Sequence, residues 1–304
     1  MTNETDQEHH SYDAILVVSF GGPEGPDEVM PFLENVLRGK NVPRERMEEV
    51  AEHYQHFGGI SPINDQNRRL IAALEQELAA CGLALPIYWG NRNWHPLLPD
   101  ALAKMRDDGI RRALAFFTSA FSSYSGCRQY RENIARAQDE VGEGAPEVDK
   151  LRVFFNHPGF IEPMAESVAA ALEAIEPSRR DSALLMFTAH SIPLSMAENC
   201  RYEVQLQEAS KLVAQHVGHA RWELVYQSRS GPPSQPWLEP DVCDRIEALH
   251  AEGDLEDLIL LPIGFVSDHM EVMFDLDEEA AELCEKLGVR MERAATVGTH
   301  TKLT

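Results

Sequence analysis

Eight short apolar runs, rich in β-branched and aromatic residues, recur along this chain, and between them apolar residues return at helical spacing. The runs cover 14–19, 85–89, 113–119, 151–155, 183–188, 222–227, 258–263 and 290–296. Helical spacing marks 65–80 (Leu70, Ile71, Leu74, Leu78), 99–106, 163–175, 202–217 and 271–287. Such alternation leaves few options, because parallel strands need a crossover between them and helical crossovers cover both faces of the sheet. An α/β fold is predicted, with the eight strands divided four and four. At 304 residues against about 150 per domain, two units are expected. The polar stretch 139–150, holding Gly142, Gly144 and Pro146, reads as the linker. The expected organisation is a disordered tail over 1–12, one unit over 13–150 and a second over 151–304.

Charge narrows the functions open to such a fold. Lys and Arg number 27 against 50 Asp and Glu, a net charge of −23 that repels phosphate backbones and anionic lipid surfaces, so no nucleic-acid partner is expected. The longest apolar stretch, 258–266, is broken by Pro262 and Gly264 and falls short of the roughly 18–20 residues of a membrane span. The opening residues, with Glu4, Asp6, Glu8, His9 and His10, lack the grading of a signal peptide. Cys81, Cys127, Cys200, Cys243 and Cys284 are widely spaced without a C-x-x-C, as expected of reduced thiols in the cytoplasm.

Ligands of open parallel sheets sit beyond the carboxyl ends of the strands. After the first run, Phe20-Gly21-Gly22-Pro23-Glu24-Gly25-Pro26 mimics a phosphate loop, but its prolines donate no N–H and Glu24 repels anions, so it reads as a turn. After the fifth, Thr188-Ala189-His190-Ser191-Ile192-Pro193 brings His190 to the ligand side, where a loop histidine bonded to a carbonyl is an equal alternative. After the seventh, Gly264-Phe265-Val266-Ser267-Asp268-His269-Met270-Glu271 opens a helix in which Asp268 reads as N-cap with Glu271 as its capping-box partner.

Against that structural reading stands the spacing of Glu271, Asp275 and Glu279 at i, i+4 and i+8, a carboxylate ladder with rungs roughly 6 Å apart. Like charges so placed cost helix stability, so the row calls for a cation, protons in transit or a merely solvated face. If His190 and Glu271 share one cleft, an imidazole and a carboxylate suit transient Fe²⁺, Co²⁺ or Zn²⁺ and are too few for a permanent site. Segments 52–63 and 116–130 mix hydroxyls with aromatic rings, which suits contact with a flat, partly apolar ligand and equally a packed core with caps.

In combination, Ser19-Phe20-Gly21-Gly22-Pro23, Phe57-Gly58-Gly59-Ile60-Ser61-Pro62, the two segments around His190 and Glu271, and Tyr226-Gln227-Ser228-Arg229 with Pro236-Trp237-Leu238 closely resemble the ferrochelatases, over about 13–299. The resemblance implies two Rossmann-like domains of chelatase type around a porphyrin cleft, with insertion of Fe²⁺ as substrate and release of two protons. It implies His190 and Glu271 as catalytic and metal-binding residues. Asp275 and Glu279 match an acidic row on a helix locally widened to π geometry. Ser61, Tyr130 and Tyr54 match porphyrin-binding positions.

The wording of 25–33 and 62–64 looks most like the soluble enzymes of Gram-positive bacteria, which metallate coproporphyrin III in heme biosynthesis. A protoporphyrin IX ferrochelatase, a cobalt chelatase of corrin synthesis and a non-catalytic porphyrin or metal carrier are the alternatives. Arg38 is a candidate partner for a propionate, and 30–37 for an apolar cleft lip or ordinary core. Phe20 stands where some relatives have tyrosine, which removes an axial oxygen ligand. No cysteine follows Cys284, so no iron-sulfur cluster is expected. The chain stops where relatives begin a closing helix, and is either naturally short or truncated. A monomer with transient contacts to neighbouring heme-pathway enzymes is expected.

Overall fold

The computed structural model describes residues 12–39, 42–232 and 234–304, so the expected tail over 1–12 lies, except for Tyr12, outside the described residues. The first half runs β1 (Ala14–Ser19), α1 (Val29–Val36), α2 (Arg44–His56), α3 (Ile63–Ala80), β2 (Ile87–Asn91), α4 (Leu98–Asp107), β3 (Arg112–Phe117), α5 (Gln129–Val141) and β4 (Glu147–Lys150). The second begins with α6 (Pro158–Ala174), β5 (Leu184–His190), α7 (Leu194–Ala197), α8 (Tyr202–Val217) and β6 (Trp222–Gln227). It continues through α9 (Val242–Ala251), β7 (Asp257–Leu261) and α10 (Met270–Val272) into a π-helix (Met273–Ala280), then α11 (Ala281–Leu287) and β8 (Arg290–Arg293).

Two parallel four-stranded sheets result, ordered β2-β1-β3-β4 and β6-β5-β7-β8. The halves thus share one topology with no repeat legible in the sequence. In the second sheet β5 and β7 are central, and their side chains alternate between two cores. Leu185, Phe187, Ala189, Ile259 and Leu261 pack with α6 and α8, whereas Leu184, Met186, Leu258 and Leu260 meet Val272, Leu276, Ala280 and Cys284. Burying each of the larger aliphatic and aromatic side chains among these contributes roughly 1.5–3 kcal/mol. That second core anchors the π-helix against the sheet. A smaller cluster of Val29, Phe32, Leu33 and Ala51 joins α1 to α2, so much of the candidate lip over 30–37 is core.

Two expectations fail in the same place. The supposed linker 139–150 carries the end of α5 and β4, while the run 151–155 lies past that strand. β4 is an edge strand with one partner, so polar Glu147, Asp149 and Lys150 suit it, and hydrophobic pattern misleads there. Phe154 packs instead into the core of the second sheet. β5 also runs two residues beyond its apolar stretch, which makes His190 the final strand residue rather than part of the loop that follows. Among the described residues no helix is long and apolar enough to cross a membrane.

Candidate active site

His190 owes its position to β5, paired through His190 with Gln227 at the end of β6. Its Nδ1 makes a short hydrogen bond to the Ser191 carbonyl, and the Tyr202 hydroxyl donates to the His190 carbonyl at 3.1 Å. A ring nitrogen facing a carbonyl must carry the proton, which turns Nε2 toward the cleft. Nε2 lies 3.5 Å from Oε1 of Glu271, and both side chains keep some exposure, 30% and 46%. Burial disfavours the imidazolium, but the Glu271 carboxylate and the Ser191 carbonyl outweigh it and lift His190 to about 9. Burial likewise opposes the Glu271 charge, yet His190 holds that carboxyl down to about 2. The resting pair is therefore imidazolium and carboxylate at neutral pH.

Glu271 is not the capping-box partner anticipated. The N-cap of α10 is His269, whose Nδ1 accepts from the Glu271 N–H at 3.1 Å. Asp268 is drawn away by Arg293 at 3.1 Å and by the Thr296 hydroxyl at 3.3 Å. This leaves the Glu271 carboxylate free to face His190. Gly264 makes the approach of the two segments possible: a Cβ there would lie 2.7 Å from that of Ala189, the residue before His190.

The helix does widen to π geometry over Met273–Ala280, and Asp275 falls inside it. The Ser228 hydroxyl makes a short bond to Asp275 Oδ2, and Gln227 Nε2 donates to the same oxygen at 3.2 Å. Burial pushes Asp275 up to about 7 against those two donors, with Glu271 and Glu279 adding repulsion. Burial and the charges of Asp241 and Glu278 also hold Glu279 above the usual carboxylate range. A carboxylate, a group that ionises near neutrality and a further raised carboxyl thus succeed one another along the helix, an arrangement able to hold a cation or pass protons.

The first half reaches this row through α2. His53 stacks on Phe274 at 3.8 Å between ring centroids, and His56 Nε2 meets Glu278 at 2.7 Å. Tyr54 is half-buried against Phe32, and burial with the nearby Glu271 charge raises its hydroxyl pKa. Ser61 and Tyr130 sit deeper. Ser61 is 4% exposed under Gly22, and Tyr130 is 5% exposed in the core of the first sheet, with Phe117 beside it and Arg92 over its ring at 4.5 Å. The structure therefore unites His190, Glu271 and Asp275, sets Tyr54 near them, and keeps Ser61 and Tyr130 inside the first half. Phe20 is partly exposed beneath Arg92, and Arg38 is exposed just past α1.

A cavity of about 980 Å³ opens between the halves, walled by residues of 122–135 on one side and of 193–200 on the other. Arg128, Arg131 and Met196 line it; His190 and Glu271 do not, although the wall at Pro193 begins three residues past His190. The Ferrochelatase family profile matches residues 12–304. The chain belongs to the ferrochelatase family. A ferrochelatase of Rhodopirellula baltica is 66% identical over 95% of this chain and 82% of its own. The coproporphyrin III ferrochelatase of Mycolicibacterium smegmatis is 55% identical over 96% and 86%, and that of Streptomyces coelicolor 52% over 96% and 82%. Among solved structures, the cobalt complex of the sirohydrochlorin chelatase of Bacillus subtilis subspecies spizizenii superposes with a TM-score of 0.55 over 96% of this chain and 91% of that one. Its 11% identity speaks for the shared chelatase fold alone.

His269, Gln227 and Ser228 also contact Glu271 or Asp275, although the sequence around them does not mark them as parts of a site. Gln227 and Ser228 stood inside a recognised motif, but nothing in their local pattern announces contacts to a helix more than 40 residues away. In the sequence, Asp268 carries a stronger capping signal than His269.

Proposed function

We propose that this ferrochelatase inserts Fe²⁺ into coproporphyrin III, with His190 and Glu271 at the reacting centre and Asp275 and Glu279 as the path for protons. The observation that carries this is the 3.5 Å contact of His190 with Glu271 at the head of a π-helical carboxylate row. Insertion must remove two pyrrole protons as one divalent cation enters, so charge balances only if a base and an anionic lane lie together. At rest His190 is protonated and cannot accept another proton. A cation arriving beside Glu271 repels the imidazolium, whose proton leaves through Asp275 and Glu279. The neutral imidazole then takes one pyrrole proton at Nε2, and the second passes to the carboxylates.

Coproporphyrin III is favoured by the names of the relatives in Mycolicibacterium smegmatis and Streptomyces coelicolor and by Arg128 and Arg131 in the cavity wall, cations for propionates in a chain of net charge −23. Tyr54 is our candidate for direct porphyrin contact; Ser61 and Tyr130, nearly enclosed, shape the first-half wall from behind. We divide the chain into units 13–150 and 151–304, a division supported by the two strand sets, with Ala120 and Phe121 of the first unit packed into the core of the second. The five unpaired cysteines support a reducing, cytoplasmic setting.

An anaerobic insertion assay tests the proposal. Fe²⁺ with coproporphyrin III should give many turnovers, with kcat/KM at least about tenfold above that for protoporphyrin IX. Metallation of sirohydrochlorin by Co²⁺ without metallation of coproporphyrin refutes it, and a single stoichiometric turnover identifies a carrier.

A further inference from the structure

We propose that Gln227, the last residue of β6, is a positioning residue for metal insertion: its side-chain amide holds the start of the π-helix in register, and so sets Glu271 and Asp275 against His190. The inference rests on the functional reading above and adds to it the part that keeps the site in order.

Gln227 is bonded to each segment that carries the chemistry. Its Nε2 donates to the Glu271 main-chain carbonyl at 2.9 Å and to Asp275 Oδ2 at 3.2 Å. Its own carbonyl accepts from the Ser191 N–H at 2.8 Å, and the Ser191 carbonyl in turn holds His190 Nδ1. A single side chain and its backbone thus tie the imidazole to both carboxylates. The position of the first contact matters. Glu271 lies in α10, immediately before the hydrogen-bond register changes at Met273 from the α to the π spacing. At such a junction carbonyls change or lose helical partners, and an outside donor stabilises the widened form.

The amide group itself argues for this role. Gln227 is 1% exposed, and among the described residues its Oε1 has no hydrogen-bond partner. Turning the amide over would set that oxygen against two acceptors and leave the NH₂ unused, so the orientation is determined. An apolar residue of similar shape would fill the site without a stranded acceptor, whereas only the amide supplies both donors. As a neutral group it orients Asp275 without adding charge to the proton path.

The test compares the full-length wild type with Gln227→Met, which keeps the length and removes both donors. Fe²⁺ insertion, porphyrin affinity by fluorescence titration and amide exchange by mass spectrometry are read in parallel. Q227M should lose kcat by about tenfold or more while porphyrin affinity stays within about twofold. Amides of 273–280 should exchange about tenfold faster, and those of β5 and β7 should not change. Wild-type kcat, unchanged exchange in the π-helix, or equal losses of kcat and porphyrin affinity would each overturn the proposal. Should Q227M fail to fold, Gln227→Leu, shorter and likewise without a donor, must show the same split, and a fully active Q227L refutes the role. A wild type that metallates no porphyrin defeats the functional reading instead, and the exchange data still decide what Gln227 holds.

Discussion

His190 and Glu271 each carry a charge that burial alone would suppress, and each keeps it because of the other. Removing one partner therefore changes the other. In Glu271→Gln the imidazole should fall from about 9 toward its ordinary value of about 6.5, seen by NMR titration of the ring, while kcat drops by about 10²–10⁴-fold. The acid limb of kcat/KM for the wild type should lie near the same value and move to lower pH in E271Q. Stability follows the same signs. The raised imidazole contributes stability that is lost as pH rises through about 9, and the depressed carboxyl contributes stability lost as pH falls toward about 2, so the ion pair persists through neutrality. Asp275 runs the other way. Its carboxyl is raised to about 7, so the folded state loses stability as pH climbs from about 4 through that value. Asp275→Asn should be more stable than wild type at pH 8, on the order of 1–2 kcal/mol after allowance for partial exposure, and show little gain at pH 4.5 in urea unfolding. The sequence made these side chains candidates by type and spacing, but the sense of each shift depends on neighbours from other strands.

At the scale of elements, the π-helix and the turn that leads to it do most of the positioning. Leu276 is fully buried between the π-helix and the sheet, where truncation leaves a cavity. Leu276→Ala should cost about 2–5 kcal/mol by chemical denaturation and lower kcat more than it weakens porphyrin binding, since the carboxylate row moves and the cavity wall does not. Gly264→Ala sets a Cβ 2.7 Å from Ala189 and 2.8 Å from its Cα, so one of the two segments must shift. A loss of about 1–3 kcal/mol with reduced kcat is expected, read by thermal unfolding beside the insertion assay. Central strands were legible because burial on both faces makes them continuously apolar. β4 is not, since an edge strand tolerates polar residues, and Asp268 resembles a cap in the sequence because its competing partner Arg293 is distant in the chain.

For the molecule as a whole, the two halves meet at a cavity on one side and across α2 and the π-helix at another. His56 is well exposed in its pair with the half-buried Glu278, so His56→Ala should change Tm by no more than about 1–2 °C. Phe274→Ala removes the stacked contact with His53 and should raise the porphyrin KM about severalfold with a smaller effect on kcat. The net charge of −23 draws Fe²⁺ in and repels an anionic porphyrin, so raising the salt concentration should lower kcat/KM for the metal and not for the porphyrin. By itself the sequence determined the α/β class, the central strands, and the histidine and carboxylates presented at strand ends, because burial pattern and spacing are local and survive in one dimension. Only the tertiary structure decided that His190 faces Glu271, that Asp268 is taken by Arg293, and that Gln227 joins β6 to the π-helix. These contacts link residues 25 to 81 positions apart, and their energies depend on distance and burial that exist only once both sheets are packed.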